Sequence, residues 1–316
     1  MKVRSLLVNV IFTIASLGHA IASDQILTII VPFAAGGGSD MAVRILQNRL
    51  SQELQQPVVI QNMVGASGVI GTHVIKKSNN DGSIIGISTG SAIGTGQIFN
   101  KEMPYDYATD FEFVGVLGEI PRGLFVSSQS KYKSINDLVS DNKSGRNFGV
   151  PGNSPDHVNA VLFNSVTDSN HQLVPYTANT NTMILDLLGN RLDGVWQSLS
   201  AMNSCMQNGS CKLLAITGSA RHPNYGAIPT FAELGLKKVN APSYYGFIAP
   251  KGVSNQKLQQ LNRSINVVLR DPEIAKKLFN SGVIAFPQDL VASKQMHFAV
   301  VETAKQAEPM IAKSKQ

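Results

Sequence analysis

The feature that most restricts the fold of this chain is a recurring unit: a short apolar run, a loop of glycine, serine and asparagine, then a stretch of helical period. Ile26 to Val31 runs through Gly36-Gly37-Gly38 into a helix whose apolar face is Val43, Leu46, Leu50 and Leu54, with Asp40 or Ser39 expected to cap it. Val58 to Ile60 runs through Asn62, Gly65, Ala66, Ser67 and Gly68 into a helical segment near Ile70 to Ser78, and Ile84 to Ser88 ends on the small-residue loop "TGSAIGTG". The unit returns further on. Phe148 to Val150 meets "PGNSPDH" before a helix to Val166, Leu173 to Tyr176 meets "TANTNT" before Met183 to Leu188, and Gly194 to Trp196 meets the loop "QSLSAMNS" ahead of a strand at Leu213 to Ile216. Strands alternating with helices predict the α/β class, with parallel sheets and right-handed crossovers. The C-terminal third, Gln256 to Leu269, Pro272 to Ser281 and Leu290 toward Met310, reads as helices that cover a sheet.

In open α/β sheets ligands lie beyond the carboxyl ends of the strands, which is where these loops fall. Glycine loses more conformational freedom on folding than any other residue, so three in a row need a physical return. The first N–H groups of a helix have no partner within it, and its dipole places roughly half a positive charge there. Small side chains let an anion reach those groups, so several such ends in one cleft hold a carboxylate without arginine. The known glycine motifs are missing: "GGGSDM" has no third glycine at the dinucleotide-binding offset, and neither a P-loop lysine nor G-x-S-x-G occurs.

Composition narrows the ligands. With 316 residues, 43% hydrophobic and 15% charged, the chain is globular, of one large or two ordinary domains. The N-terminus carries Lys2 and Arg4, an apolar stretch from Leu6 to Leu17 and the small-residue site Ala20-Ile21-Ala22, which reads as a secretory signal peptide over residues 1–22, cleaved near Ala22. The apolar stretch falls short of the ~20 residues of a spanning helix. A soluble periplasmic protein is the expectation. Its formal net charge of +6, lowered by two with the leader, is scattered, so nucleic acid is excluded as a partner. Cys205 and Cys211 flank the turn-like "MQNGS", and in an exported chain they are expected to form a disulfide, two buried free thiols being the alternative. The histidines show no ligand spacing, so no metal and no cofactor is expected.

Five stretches, "VPFAAGGGSDMAVRIL", "QPVVIQNMVGASGVIGT", "MPYDYATDFEFVGVL", "VPYTANTNTMILDLLGNRLDGVW" and "IPTFAELGL" with "YYGFIAPKGV", resemble in order and spacing the Bug-type periplasmic solute receptors of tripartite tricarboxylate transporters. The resemblance covers essentially the whole mature chain. It implies a type II periplasmic-binding-protein fold: two lobes with parallel-rich sheets joined by two crossing strands, near Pro121 to Phe125 and Tyr244 to Phe247. Residues 23–121 and 246–316 would form the first lobe and 122–245 the second. It implies a receptor, not an enzyme, that closes on a small organic acid, a di- or tricarboxylate, and delivers it to integral membrane transporter subunits. By the same similarity the first ligand loop is Phe33, Ala34, Ala35, Gly36 and Gly37, with Asp40 organising the helix start. The second is Gly65, Ala66, Ser67 and Gly68, the third Thr89, Gly90 and Ser91, and the second-lobe loop Gly152, Asn153, Ser154 and His157. Departures bear on the ligand. Ala34-Ala35 stand where a proline pair is common, Thr177 and Ala178 where Lys-Gly is common, and Gln197 where an aspartate is frequent, which argues against an amino-acid ligand.

Structural roles compete with ligand roles at several of these positions. Ser154 reads equally as a helix cap, His157 as a surface residue, and Trp196 as core or as a cleft wall beside Gln197. Arg122 in "EIPRGLF" reads as an inter-lobe ion-pair partner or as a clamp on a second carboxylate. Met41 is expected in the core, Asp193 in a turn, and Tyr105 to Phe111 against a connection. A ligand-sensing partner of a membrane signalling kinase and an exported α/β enzyme are the rival functions. No nucleophile and base can be placed together on these loops. Monomer is the expected state.

Overall fold

The structure, a computed structural model, describes residues 26–96, 102–141, 145–152, 154–176, 180–218, 220–241 and 243–314. The leader, Asn153, Thr177 and Ala178 lie outside the described residues.

The first sheet holds β1 (Leu27–Val31), β2 (Val58–Asn62), β3 (Ile84–Thr89), β4 (Phe111–Glu119), β10 (Tyr244–Pro250) and β11 (Ile284–Ala285), in the order β11-β4-β10-β3-β1-β2. The second holds β5 (Arg122–Ser127), β6 (Asn147–Pro151), β7 (Gln172–Tyr176), β8 (Gly194–Ser198) and β9 (Cys211–Ile216), in the order β7-β6-β8-β5-β9. The helices are α1 (Gly38–Leu54), α2 (Val69–Lys77), α3 (Ile135–Ser140), α4 (Pro155–Thr167), α5 (Thr180–Leu188), α6 (Leu199–Gln207), α7 (Asn255–Arg270), α8 (Pro272–Asn280) and α9 (Leu290–Ser314).

Both sheets are mixed, where the alternation of strands and helices predicts parallel ones. The pairs β1–β2, β1–β3, β6–β7 and β6–β8 are parallel, each served by a helical crossover. Strand β10 runs antiparallel between β3 and β4, and β5 antiparallel between β8 and β9. The physical reason is the path of the chain. It leaves the first sheet after Glu119, enters the second at Arg122 and comes back at Tyr244, and a strand arriving from the other sheet has no helix to return it to the parallel end. The two passages touch where the Ile120 N–H donates to the Ser243 carbonyl at 2.8 Å.

Helix α1 covers the first sheet because its apolar residues recur at helical spacing. Ala42, Val43, Leu46 and Leu50 are wholly buried against Leu27, Ile29 and Val31 and against Leu261 and Ile265 of α7. Val43, Leu46 and Leu50 each contribute about 1.5–3 kcal/mol on burial. Met41, expected in the core, is instead exposed, because it lies off that stripe. The stretch after Trp196 is no loop: it forms α6, which turns Leu199, Met202 and Cys205 inward. The loop after β3 likewise winds into a wide helical turn over Ser91–Thr95. A disulfide joins Cys205 of α6 to Cys211 of β9, with the Cα atoms 5.5 Å apart.

The C-terminal helix bridges both layers. Its first half packs Met296 and Val300 around Val116 and Tyr244, while Ala307 lies in the core of the second sheet. Among the described residues no helix is long and apolar enough to cross a membrane.

Candidate functional site

Helix starts in this chain are of two kinds. Ser134, Ser154, Ser198, Ser254 and Asp271 each accept a hydrogen bond from the first turn of the helix they open, α3, α4, α6, α7 and α8. Helices α1 and α2 instead open on Gly37 and Gly68, which have no side-chain acceptor. The first amides of α1 are therefore available, whereas those of Gly68, Val69 and Ile70 at the start of α2 turn back to the Gly65 and Ala66 carbonyls; both helices follow the glycine loops of the first sheet.

The first loop is fixed from behind. Asp40 is not the cap of α1; it lies one turn in, buried, and its carboxylate reaches back to accept the Gly36 N–H at 2.8 Å. It also accepts Arg44 Nε at 2.8 Å and Asn62 Nδ2 at 2.9 Å, and the same Asn62 amide donates to the Phe33 carbonyl at 2.9 Å. Burial works against the charge of Asp40, but these bonds outweigh it and hold the carboxyl below its ordinary range. The Gly37 N–H turns back to the Ala34 carbonyl at 3.2 Å. The open donors are thus those of Gly38 and Ser39 rather than of Gly36 and Gly37. Ala34, Ala35 and Gly36 are exposed at the lip and Phe33 is half-buried beside them.

The second loop is strained. Gly65, Ala66, Ser67 and Gly68 all have positive φ, 145°, 48°, 54° and 96°. For Ala66 and Ser67 that conformation costs on the order of 1–3 kcal/mol each. Strain of this kind gathers at ligand clamps. The loop leans on the first one, since a Cβ on Gly68 would stand 2.9 Å from the Phe33 ring. In the third loop Thr89 Oγ1 accepts the Ala92 N–H at 3.4 Å, and Gly90 faces the second lobe, where a Cβ would lie 2.6 Å from Pro155.

The lobes meet across α1. A Cβ on Gly38 would stand 2.7 Å from the Tyr245 hydroxyl, which it would displace, and at ordinary contact distance, 3.6 Å, from Ser200 Oγ. Tyr245 comes from the second crossing strand and Ser200 from the first turn of α6, where its hydroxyl donates to Ser198 Oγ at 3.1 Å. Sequence reading misses both residues, because neither sits in a glycine loop.

Other candidates prove structural in their contacts. Ser154 is 3% exposed, donates to the Pro151 carbonyl at 2.6 Å and caps α4 through the His157 N–H at 3.3 Å. Gly152 and His157 are buried alongside. Gln197 is buried with its Oε1 accepting the Ser198 N–H at 2.8 Å. Trp196 is 1% exposed and stacked on Phe231, so it is core and no cleft wall. Arg122 is no free clamp: its Nη1 pairs with Asp156, and its Nε and Nη2 donate to Ser243 Oγ at 2.9 and 2.7 Å. Asp156 is wholly buried, and burial raises its pKa against the pull of Arg122. Asp156 is invisible in the sequence as a partner, being 34 residues away.

Among the described residues no cluster of histidine, cysteine or carboxylates could hold a metal ion. What the loops offer is amide N–H groups, two helix dipoles and a phenol, a set that receives an oxyanion and performs no bond-making step.

Two α/β lobes joined by paired crossing strands, with the open helix ends between them, define the periplasmic binding-protein fold. A family model described as "Tripartite tricarboxylate transporter family receptor" matches residues 42–315. The chain is 32% identical over 269 residues to Protein BugT of Bordetella pertussis, spanning 83% of this chain and 82% of that protein. The chain belongs to the tripartite tricarboxylate transporter receptor family, whose members are solute-binding proteins and not enzymes. Among solved structures it is similar to "R. palustris Rpa4515 with adipate", with a TM-score of 0.82, 28% identity and coverage of 90% of this chain and 96% of that one. It is also similar to periplasmic binding protein BugD, with a TM-score of 0.78, 24% identity and coverage of 90% and 97%, a likeness that speaks to the fold alone.

Proposed function

We propose that this protein is an exported receptor that captures a small di- or tricarboxylate in the periplasm by lobe closure and delivers it to integral membrane subunits of a tripartite tricarboxylate-type transporter. The lobes divide near residues 121 and 245, and residues 1–22 direct export. One observation carries the reading. Helix α1 opens toward the cleft on Gly37 without a side-chain cap, and the strained turn at Ala66 and Ser67 leans on the same loop through Gly68 and Phe33. One ligand carboxylate occupies these donors and the Tyr245 hydroxyl supports it; Gly90, Ser91 and the Gly152–Ser154 loop close over the remainder.

The nearness of Gly38 to Ser200 and of Gly90 to Pro155 supports a closing movement that brings these segments together. A ligand that touches both lobes favours the closed form by the contacts it makes only there. Membership in a family of transporter receptors supports delivery, and the adipate held by the Rhodopseudomonas palustris relative supports a dicarboxylate.

Calorimetric titration of the purified protein with adipate, succinate, citrate and aspartate tests the reading. The expected result is binding of at least one of the three carboxylates without an amino group at micromolar Kd or better, about −8 kcal/mol. Tight binding of aspartate alone, or no binding of any acid, contradicts it.

A further inference from the structure

A cavity opens along α6 below Ser200, between the lobes. It measures about 270 Å³, near the lower end of small-molecule pockets, and none of the cleft residues above lines it. One wall is second-lobe, with Asn203 and Gln207 on α6 and His222 and Asn224 on the short turn after β9; the other is the end of α8, with Phe279 and Asn280. The two walls are joined by the His222 ring stacked on Phe279, centroids 4.7 Å apart and planes 8° apart, and by Gly282, where a Cβ would stand 2.7 Å from the backbone of Ser200.

His222 is the informative residue. It is 3% exposed, and its Nδ1 accepts the Asn224 N–H at 3.3 Å, which leaves the ring proton on Nε2. That Nε2 has no hydrogen-bond partner among the described residues, although a buried polar atom without one costs about 1–3 kcal/mol. Burial pushes the imidazole pKa down, so the ring is a neutral donor at pH 7. The carboxamides of Asn203, Gln207, Asn224 and Asn280 each both donate and accept. No lining residue is charged. A desolvated anion would find no cation here, and a cation no carboxylate.

We propose that this seam is a second solute site, separate from the cleft at α1 and α2, and that it takes a small uncharged polyhydroxylated molecule. Each hydroxyl of such a molecule donates and accepts, as the carboxamides do, and one accepts from His222 Nε2. Because its walls come from different lobes, the site is whole only while the lobes touch, so occupancy and closure favour each other.

The test is ligand-observed saturation-transfer NMR with erythritol as the probe and succinate as the charged comparison. His222→Phe keeps the ring against Phe279 and removes the donor; Asn203→Leu fills the cavity from a half-exposed helix position. Thermal unfolding of both variants confirms that they fold. The expected result is transfer to erythritol in the wild type, with affinity about tenfold weaker in each variant, and succinate transfer unchanged by either substitution. No transfer to erythritol in the wild type, equal transfer in all three proteins, or succinate binding that depends on His222 overturns the proposal. Failure here leaves carboxylate binding in the main cleft intact, since succinate and erythritol report separately.

Discussion

The Tyr245 hydroxyl stands against the first residue of α1, so close that a Cβ on Gly38 would lie 2.7 Å from it. A strand that crosses between the lobes is thereby placed in contact with an open helix start. Gly38→Ala pushes the hydroxyl aside, and Kd for the acid is expected to weaken about tenfold. Tyr245→Phe removes the obstacle, so the double variant is expected to lose less than the sum of the singles, a coupling on the order of 0.5–3 kcal/mol read by calorimetry.

Gly37→Ser gives α1 the cap that it lacks. Gly37 has φ −74° and ψ 165°, the extended conformation a capping serine adopts. The new hydroxyl accepts from the helix amides and competes with ligand, so stability rises by a few tenths of a kcal/mol while affinity falls. Gly37→Ala, which adds the Cβ without the oxygen, separates the two effects in the same titration: its affinity stays within about threefold of wild type, since ~0.6 kcal/mol is the scale of a small steric adjustment.

The Arg122–Asp156 pair lies where the chain first passes between the sheets, with Ser243 of the second passage bound to the same guanidinium. Asp156→Asn leaves a guanidinium in a largely buried site without its countercharge and is expected to cost about 3–5 kcal/mol in urea unfolding. Arg122→Lys does not restore what is lost, because one ammonium cannot reproduce the planar grip. The double variant Arg122→Met with Asp156→Leu removes both charges at similar volume, and it retains carboxylate binding if Arg122 makes no ligand contact.

Acid sensitivity follows from buried histidines. His297 is wholly buried, with Nε2 at 2.9 Å from Ser88 Oγ and Nδ1 at 2.6 Å from the Ser293 carbonyl, and burial pushes it down to about 4. Burial and the neighbouring Arg146 take His171 down to about 4 as well. In the unfolded chain both titrate near ~6.5, so between there and pH 4 the unfolded state binds more protons. Stability is therefore full above ~6.5 and falls by roughly 1.4 kcal/mol per pH unit per histidine toward pH 4. Urea midpoints at pH 5 and pH 7 check the slope; equal midpoints contradict it.

Much of the scaffold was legible because it rests on local pattern. The stripe Val43, Leu46, Leu50 has helical period, and the strands before the glycine loops are apolar runs bounded by turn residues. Helix α6 was not legible: serine and asparagine interleave its first two turns and mask the inward spacing of Leu199, Met202 and Cys205. The mixed sheets escape pattern reading too, since strand direction is set by passage between lobes. At the site, glycine loops announce themselves, but what they contact does not. Tyr245 at Gly38, Asp156 at Arg122 and the return of the Asp40 carboxylate to Gly36 are products of tertiary packing. Trp196 shows the same limit from the other side: a strand-end aromatic reads as core or cleft wall until Phe231 is found stacked on it.

The central claim is that main-chain amides at the uncapped start of α1 and in the strained turn ahead of α2 hold the ligand carboxylate. Amide ¹H–¹⁵N NMR during titration with adipate measures it most directly. The account predicts that the Gly38, Ser39, Ala66 and Ser67 N–H signals move downfield together and saturate at one stoichiometric acid. Saturable binding that leaves these four signals in place and shifts the Arg122 guanidinium instead would contradict it.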